Sequence, residues 1–294
     1  MSQTLIEQVR SFNRTVTQTI GALSQDYLGR HRPLGESRLM FEIGEAGATA
    51  SELRARLDLD SGYLSRLLRS LERQRLAVTR PHPADKRVRR AELTADGRKE
   101  LEALNRDSDR LAANILEPLN DAQRSKLTAA MAEVERLLTA SAVRIEEVPP
   151  DSRDAEYCLE HYFAELAERF DVGFDPAQSL SPTHEEFAPP DGTFLVMRLH
   201  GAPVGCGGFK RESQEAAYIK RMWVANEARG LGLGRRLLQR LELRAQALGY
   251  RQLRLETQKS LTEAQQLYRS SGFVEVPPFN DELYAHHWFQ KNLR

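Results

Sequence analysis

Between Tyr218 and Leu248 the chain passes from Tyr218-Ile219-Lys220-Arg221-Met222-Trp223-Val224, a strand-like run, through Arg229-Gly230-Leu231-Gly232-Leu233-Gly234 into a long amphipathic stretch. Apolar residues at 233, 237, 238, 241, 245 and 248 fall on one helical face, so the spacing predicts a helix that begins where the glycines end. Strand, glycine loop and helix in that order place a helix N-terminus against the loop. Glycines at 230, 232 and 234 open backbone conformations closed to other residues, and the free N–H groups and dipole of a helix start favour an anion. A phosphate or pyrophosphate is the guest that this chemistry predicts. No Gly-Lys-Ser/Thr follows, which disfavours a nucleoside triphosphate loop, and Arg254 stands where an NAD-binding unit would carry the acidic residue that holds the ribose.

Arg229-x-x-Gly232-x-Gly234, preceded by Met222-x-Val224, resembles the acyl-CoA loop of the GNAT superfamily of N-acyltransferases. The later segment Leu267-Tyr268-Arg269-Ser270-Ser271-Gly272-Phe273 resembles the second signature of that family. The resemblance implies acetyl-CoA as co-substrate, bound by Met222, Val224, Arg229, Gly230, Leu231, Gly232, Leu233, Gly234 and Arg235. It also implies that a main-chain N–H near Met222 to Val224 faces the thioester oxyanion, and that Tyr268 protonates the departing thiolate. Relatives often carry an acidic residue where this chain has Tyr218 and an asparagine where it has Leu261. Glu256 shares a strand face with Arg254, and an ion pair between them is expected rather than a catalytic base.

The stretch around that motif reads as α/β. Val143 to Val148 is an expected strand, and Asp151 or Ser152 caps a helix through Tyr157, Leu159, Phe163, Leu166 and Phe170. Residues 171 to 192 are an irregular, proline-bearing segment over a candidate substrate mouth. A hairpin over 193–210, a strand over 217–224, a strand over 252–257, a helix over 261–270 and a closing β portion ending at Trp288-Phe289 follow. The closing stretch resembles the Asn-Asp and Tyr-Ala-x-x-Trp-Phe ending of small-amine acetyltransferases, which makes Asn280, Asp281 and Tyr284 candidates for the acceptor side. His286 and His287 are neighbours on a strand and point to opposite faces, so no metal is expected there.

The first 140 residues read differently. Leu5, Val9, Phe12, Val16, Ile20 and Leu23 give a first helix with one buried stripe, ending near Gly29 and Pro33. A second helix starts near Glu36 and closes at Gly44. Thr49 with Glu52 forms a capping box for a short third helix, and Asp60 or Ser61 caps a fourth that runs to about Gln74. Ser61, Tyr63, Ser65, Arg66 and Arg69 lie on the open face of the fourth, as in a helix-turn-helix whose second helix enters the major groove. Between Arg66 and Arg90, nine basic residues stand against only Glu72 and Asp85. Val78-Thr79-Arg80 and Val88 to Leu93 then form a hairpin wing tipped by Asp85-Lys86-Arg87.

That arrangement, followed by Leu93-Thr94-Ala95-Asp96-Gly97, resembles the MarR family of winged-helix regulators. The resemblance implies homodimers formed by the first and last helices and bound to palindromic double-stranded operators, with Lys86 and Arg87 also at the DNA and Asp85 orienting an arginine. After Thr94 the apolar positions from Leu101 to Leu138 continue as two helices broken at Pro118.

The expected architecture is therefore two domains: residues 1–142, a mainly α winged helix-turn-helix, and residues 143–294, an α/β GNAT-like domain with a mixed sheet. At 294 residues each has enough chain for its own core. Cys158 and Cys206 are the only cysteines and show no zinc or disulfide spacing. No strictly apolar run exceeds four residues, so a soluble, cytoplasmic protein without a membrane span is expected. The expected activity is DNA-binding regulation joined to acetyl transfer onto a primary amine of a small molecule. The alternatives are an acyl-CoA sensor that transfers nothing and a protein-lysine acetyltransferase.

Overall fold

The computed structural model describes residues 2–82, 85–171, 173–179 and 183–293. It divides into two compact units, Met1–Met131 and Ala132–Arg294, with the division inside the helix Asp121–Ala142. The domain boundary expected near residue 142 lies at the end of that same helix.

In the first unit the elements run α1 (Gln3–Thr19), α2 (Leu34–Ile43), β1 (Ala48–Thr49), α3 (Ala50–Leu57), α4 (Ser61–Arg73), β2 (Ala77–Pro81), β3 (Arg89–Leu93) and α5 (Ala95–Leu116); α6 (Asp121–Ala142) begins there, and its residues from Ala132 on belong to the second unit. The strands form an antiparallel sheet in the order β1-β3-β2. Leu39, Met40, Ile43, Leu53, Leu64, Leu71 and Leu93 make the core. The caps follow the sequence: Thr49 and Glu52 form both bonds of a capping box, and the Asp60 side chain accepts the Tyr63 N–H at 2.8 Å. Glu36, buried on α2, accepts from Ser70 Oγ and Gln74 Nε2 at 2.7 Å each and so ties α2 to α4. The wing expectation at Pro83 and Ala84 lies outside the described residues.

The first helix departs from expectation. It stops at Thr19, and none of its residues is buried; Leu5 is 61% and Val9 58% exposed. The apolar stripe is present, but among the described residues no element covers it.

The second unit adds β4 (Arg144–Glu147), α7 (Arg153–Arg169), β5 (Thr193–Leu199), β6 (Ala202–Arg211), β7 (Ala216–Val224), α8 (Leu233–Ala247), β8 (Gln252–Thr257), α9 (Thr262–Ser270), β9 (Val274–Val276) and β10 (His287–Asn292). Its mixed seven-stranded sheet has the order β4-β5-β6-β7-β8-β10-β9, and β7 with β8 is its parallel pair. That pair is short: Ala216, Ala217 and Tyr218 lie beside Gln252, Leu253 and Arg254, and the ladder then stops. Beyond it the two strands part, leaving the second half of β7 with one free edge. On its other edge β7 carries a bulge, where Arg221 and Met222 oppose the single residue Gly207 of β6. Arg221 has φ 64°, the left-handed region that side chains other than glycine rarely enter.

Candidate functional site

Two hollows open where β7 and β8 part. The larger, about 460 Å³, runs between α7, the end of β7, the glycine loop and α9. The smaller, about 90 Å³, lies between β7, β8, α7 and the segment after β9. Tyr162, Leu166, Met222, Leu261, Ala264 and Tyr268 line both, so the two meet at one point.

The glycine loop forms one end of the larger groove. Gly230 and Gly232 sit at φ 76° and 73°, and a side chain at either would meet open space within 4 Å; the demand for glycine is conformational. Gly234 differs, because a Cβ there would approach Leu267 Cδ2 at 3.3 Å, which makes it a packing position between α8 and α9. Gly232 caps α8 without a side-chain bond, and the first turn of α8 holds no acid. Among the described residues, the main-chain N–H groups from Gly230 to Arg235 make no hydrogen bond, while Arg236 N–H is the first to bond back, to Gly232 O at 3.2 Å. Those N–H groups at the positive end of a helix suit a pyrophosphate.

The nearby cations are otherwise engaged. Arg229, expected to add charge to the phosphates, donates to Glu165 Oε2 at 2.5 Å and to the Val224 carbonyl at 2.9 Å. The Glu165 carboxylate also receives the Trp223 indole N–H at 2.9 Å and Arg169 at 3.2 Å. Arg235 donates to Ser270 at 2.8 Å and so joins α8 to α9. Arg136 of α6 donates to the Gly230 carbonyl at 2.6 Å. The side chains brace the loop, and the main chain is what remains for an anion.

At the junction stand two phenols. Tyr268 is buried on α9, and burial pushes its pKa well above the ordinary tyrosine value. Tyr162 of α7 is pushed up to about 12 by burial; the Arg221 charge opposes that shift, and the charges of Glu256 and Glu282 add to it. Both phenols hold their protons at neutral pH. Sequence reasoning singled out Tyr268 by its motif and passed over Tyr162, which a helical repeat of apolar positions hides.

The smaller cavity holds a charged cluster. Lys220 Nζ lies 2.5 Å from Glu256 and 3.0 Å from Glu282, with all three side chains at most 10% exposed. The Tyr218 hydroxyl donates to Glu256 and accepts from Asn280 Nδ2 at 2.8 Å, while Asn280 Oδ1 takes the Trp288 indole N–H at 2.8 Å. Burial first, and then the Glu256 charge, raises the Tyr218 pKa. Ser179 Oγ donates to Glu282 at 2.9 Å. The expected Glu256–Arg254 pair is therefore corrected: Arg254 turns to Glu212 at 3.4 Å, and Glu256 turns to Lys220. Residues on one strand face are two positions apart, and the longer reach across to β7 wins because Lys220 is buried and needs a counter-charge.

Of the three acceptor-side candidates, Tyr284 lines the smaller cavity and its hydroxyl accepts the Asp175 N–H at 3.0 Å. Asn280 stands one layer behind, holding Tyr218. Asp281 is exposed and lines neither hollow. Lys220, Arg221 and Glu282 were not singled out. The basic pair follows directly on a strand whose bulge no periodicity reveals, and Glu282 lies in an irregular segment.

In the first unit Ser61, Tyr63, Ser65, Arg66 and Arg69 are all exposed on α4, opposite the buried Leu64, Leu67 and Leu71. Arg66 lies over the Tyr63 ring at 5.4 Å. At the wing, Lys86 and Arg87 are exposed, and Asp85 grips Arg87 through Nε and Nη2 at 3.1 Å each, which fixes the guanidinium plane. Among the described residues no group of three or more His, Cys, Asp or Glu is placed to hold a metal, and no helix is long and apolar enough to cross a membrane.

Comparison with known proteins matches residues 157–273 to the acetyltransferase (GNAT) family and residues 29–88 to the MarR family. An IAA acetyltransferase of Azospirillum brasilense is 43% identical over 97 residues, 32% of this chain and 63% of that protein, so the chain spans less than two thirds of its length. An uncharacterized N-acetyltransferase of Schizosaccharomyces pombe is 31% identical over 150 residues, 48% of this chain and 86% of the relative. Among solved structures, a GNAT acetyltransferase of Staphylococcus aureus (22% identity, TM-score 0.46) covers 52% of this chain and 100% of its own. Wild-type MarR of E. coli (21% identity, TM-score 0.38) covers 42% and 94%.

Proposed function

Because this chain belongs to the GNAT acetyltransferase family and carries a MarR-family domain ahead of its acetyltransferase domain, we propose that it is a DNA-binding regulator that also transfers the acetyl group of acetyl-CoA to a primary amine of a small molecule. The observation that carries the transfer reading is the meeting of the two hollows at Tyr268. The larger groove has the volume and the open N–H groups for an extended, pyrophosphate-bearing donor. A cavity of about 90 Å³ suits a small acceptor.

Acetyl-CoA supplies an activated thioester carbonyl. The chain's part is to bind, orient and move protons. Residues 230–235 hold the pyrophosphate through the main chain, and the free edge of β7 near Met222 to Val224 faces the carbonyl oxygen as it gains charge. The acceptor ammonium sheds one proton before attack and a second as the C–N bond forms, both by way of the carboxylate end of the cavity. Tyr268 gives its proton to sulfur as the C–S bond breaks and is then reprotonated, so one proton is released per turnover. The test is release of CoA from acetyl-CoA with a panel of amino acids, polyamines and aromatic amines. Turnover of one class supports an enzyme, and a protein that binds acetyl-CoA but releases no CoA with any of them would be a sensor.

For the first unit we infer a homodimer on a palindromic operator. The open face of α4, the gripped Arg87 and the nine basic residues of 66–90 support the DNA contact. The uncovered stripe of α1, with Leu5, Val9 and Phe12 exposed, supports the dimer.

A further inference from the structure

The smaller cavity is charged in a way that acetyl transfer by itself does not require. At one end, Glu256 and Glu282 converge on Lys220 and both line the cavity, so one side of it is built from two buried carboxylates. Near the same space, Arg221 is 93% withdrawn from solvent, and among the described residues no carboxylate pairs with it. Its guanidinium stacks over the Phe163 ring at 4.4 Å and near the Tyr162 ring at 5.7 Å, contacts that leave its N–H edges available. A buried guanidinium without an anion is costly, and such a group persists where an anion completes it. The residue also sits at φ 64° on the β7 bulge, a strained conformation that breaks the strand's alternation and re-aims the side chain. Arg221, Glu256 and Glu282 all line this one cavity of about 90 Å³, so the positive and negative ends lie within reach of one small molecule.

We propose that the acceptor is an amino carboxylate, with its amine at the Glu256 and Glu282 end of the cavity and its carboxylate on the Arg221 guanidinium. The proposal rests on the acetyltransferase reading for the transfer step, but the binding geometry stands apart from it. A planar guanidinium offers a carboxylate two parallel N–H bonds, and its counter-charge is absent until the acceptor arrives. With the zwitterion bound, its ammonium faces carboxylates and its carboxylate faces the guanidinium. Amines that lack a carboxylate leave Arg221 unpaired in the closed site, and polyamines add positive charge beside it. Discrimination of this kind, in which the wrong ligand leaves a buried polar group unsatisfied, is the strong kind.

The experiment compares alanine, methionine and phenylalanine, each with its amide and its decarboxylated amine, at saturating acetyl-CoA. CoA release gives kcat/KM, and calorimetry in the presence of free CoA gives affinity. The expected result is a preference of roughly ten- to a hundredfold for at least one acid over its own amide and amine. That preference should be lost in Arg221→Gln and only partly kept in Arg221→Lys, which retains the charge without the bidentate fork. The wild-type comparison stands even if Arg221→Gln does not fold. Equal or better turnover of the analogues that lack the carboxylate overturns the proposal and leaves the acetyltransferase reading intact. Binding of an acid that depends on Arg221, without CoA release from any amine, supports the proposal and sinks the transfer reading. Neither binding nor release would sink both.

Discussion

Replacement of Gly232 by valine tests the loop most sharply, because the structure separates what the change costs the fold from what it costs the ligand. The residue holds φ 73°, and a left-handed conformation costs an ordinary side chain about 1–2 kcal/mol. Beyond the neighbouring backbone no atom lies within 4 Å of the new Cβ, so the Cβ adds no clash to that figure and the protein should remain folded. The ligand pays separately. Gly232 stands at the start of α8, where the N–H groups of residues 230–235 are unbonded, and a branched side chain there occupies the approach to them. Losing one or two charge-assisted bonds of about 1.5–3 kcal/mol each weakens acetyl-CoA binding by roughly ten- to a hundredfold or more. The assay is calorimetric titration with acetyl-CoA beside a thermal melt. Gly234→Ala is the control: its Cβ meets only the flexible end of Leu267 at 3.3 Å, so affinity should change little. A folded Gly232→Val protein with wild-type affinity would refute the phosphate assignment.

Tyr268→Phe should lower kcat by roughly a hundredfold to ten-thousandfold with acetyl-CoA affinity retained. Because burial raises the Tyr268 pKa, the phenol stays protonated through the assayable range, and rate profiles of wild type and variant should share the same alkaline limb; a limb that vanishes in the variant would contradict the burial. Gly97→Ala should unfold or strongly destabilise the first unit, by ~3 kcal/mol or more, since a Cβ would stand 1.9 Å from the Leu76 carbonyl; a denaturation midpoint that rises, as helix propensity alone would have it, refutes the close approach. Arg66→Ala or Arg69→Ala should cost about 1–3 kcal/mol on a selected operator if either reads a base, whereas Arg87→Ala should weaken every duplex alike and flatten the salt dependence; filter binding at several salt concentrations distinguishes them.

Most of the architecture was legible because local chemistry and fold agree. Thr49 with Glu52, Asp60 and Ser152 announce helix starts, and each makes its capping bond. The alternation of Leu64, Leu67 and Leu71 with the polar face of α4 follows from helical period alone. What escaped the sequence depends on pairings between distant segments. Arg229 looks like a phosphate ligand until Glu165, on the far side of the groove, is seen to hold it. Glu256 looks like the partner of Arg254 two residues away, and the neighbouring strand that brings Lys220 to it is not visible in local sequence. The α1 stripe was read correctly as apolar and wrongly as buried, because periodicity tells which face seeks cover but not whether the same chain supplies it.

The site lies where the sheet fails, and both failures are needed. Had β7 and β8 stayed paired past Tyr218 and Arg254, their main-chain groups would be consumed by the ladder and no edge of β7 would face a thioester. Had β7 run without its bulge, strict alternation would place Arg221 on the face opposite Lys220 and Met222, away from the charge cluster. Regular alternation up to the bulge presents Lys220 to the two glutamates, and the extra residue against Gly207 swings Arg221 toward Tyr162 and Phe163, while Met222 reaches the junction of the two hollows. The strain at φ 64° is thus coupled to the chemistry. Relieving it by Arg221→Gly would remove the backbone penalty and the guanidinium together, so such a protein should be no less stable than Arg221→Ala while sharing its acceptor defect. Melting the two variants side by side decides the point: an alanine protein more stable than the glycine protein would mean that the left-handed bulge is not held in solution.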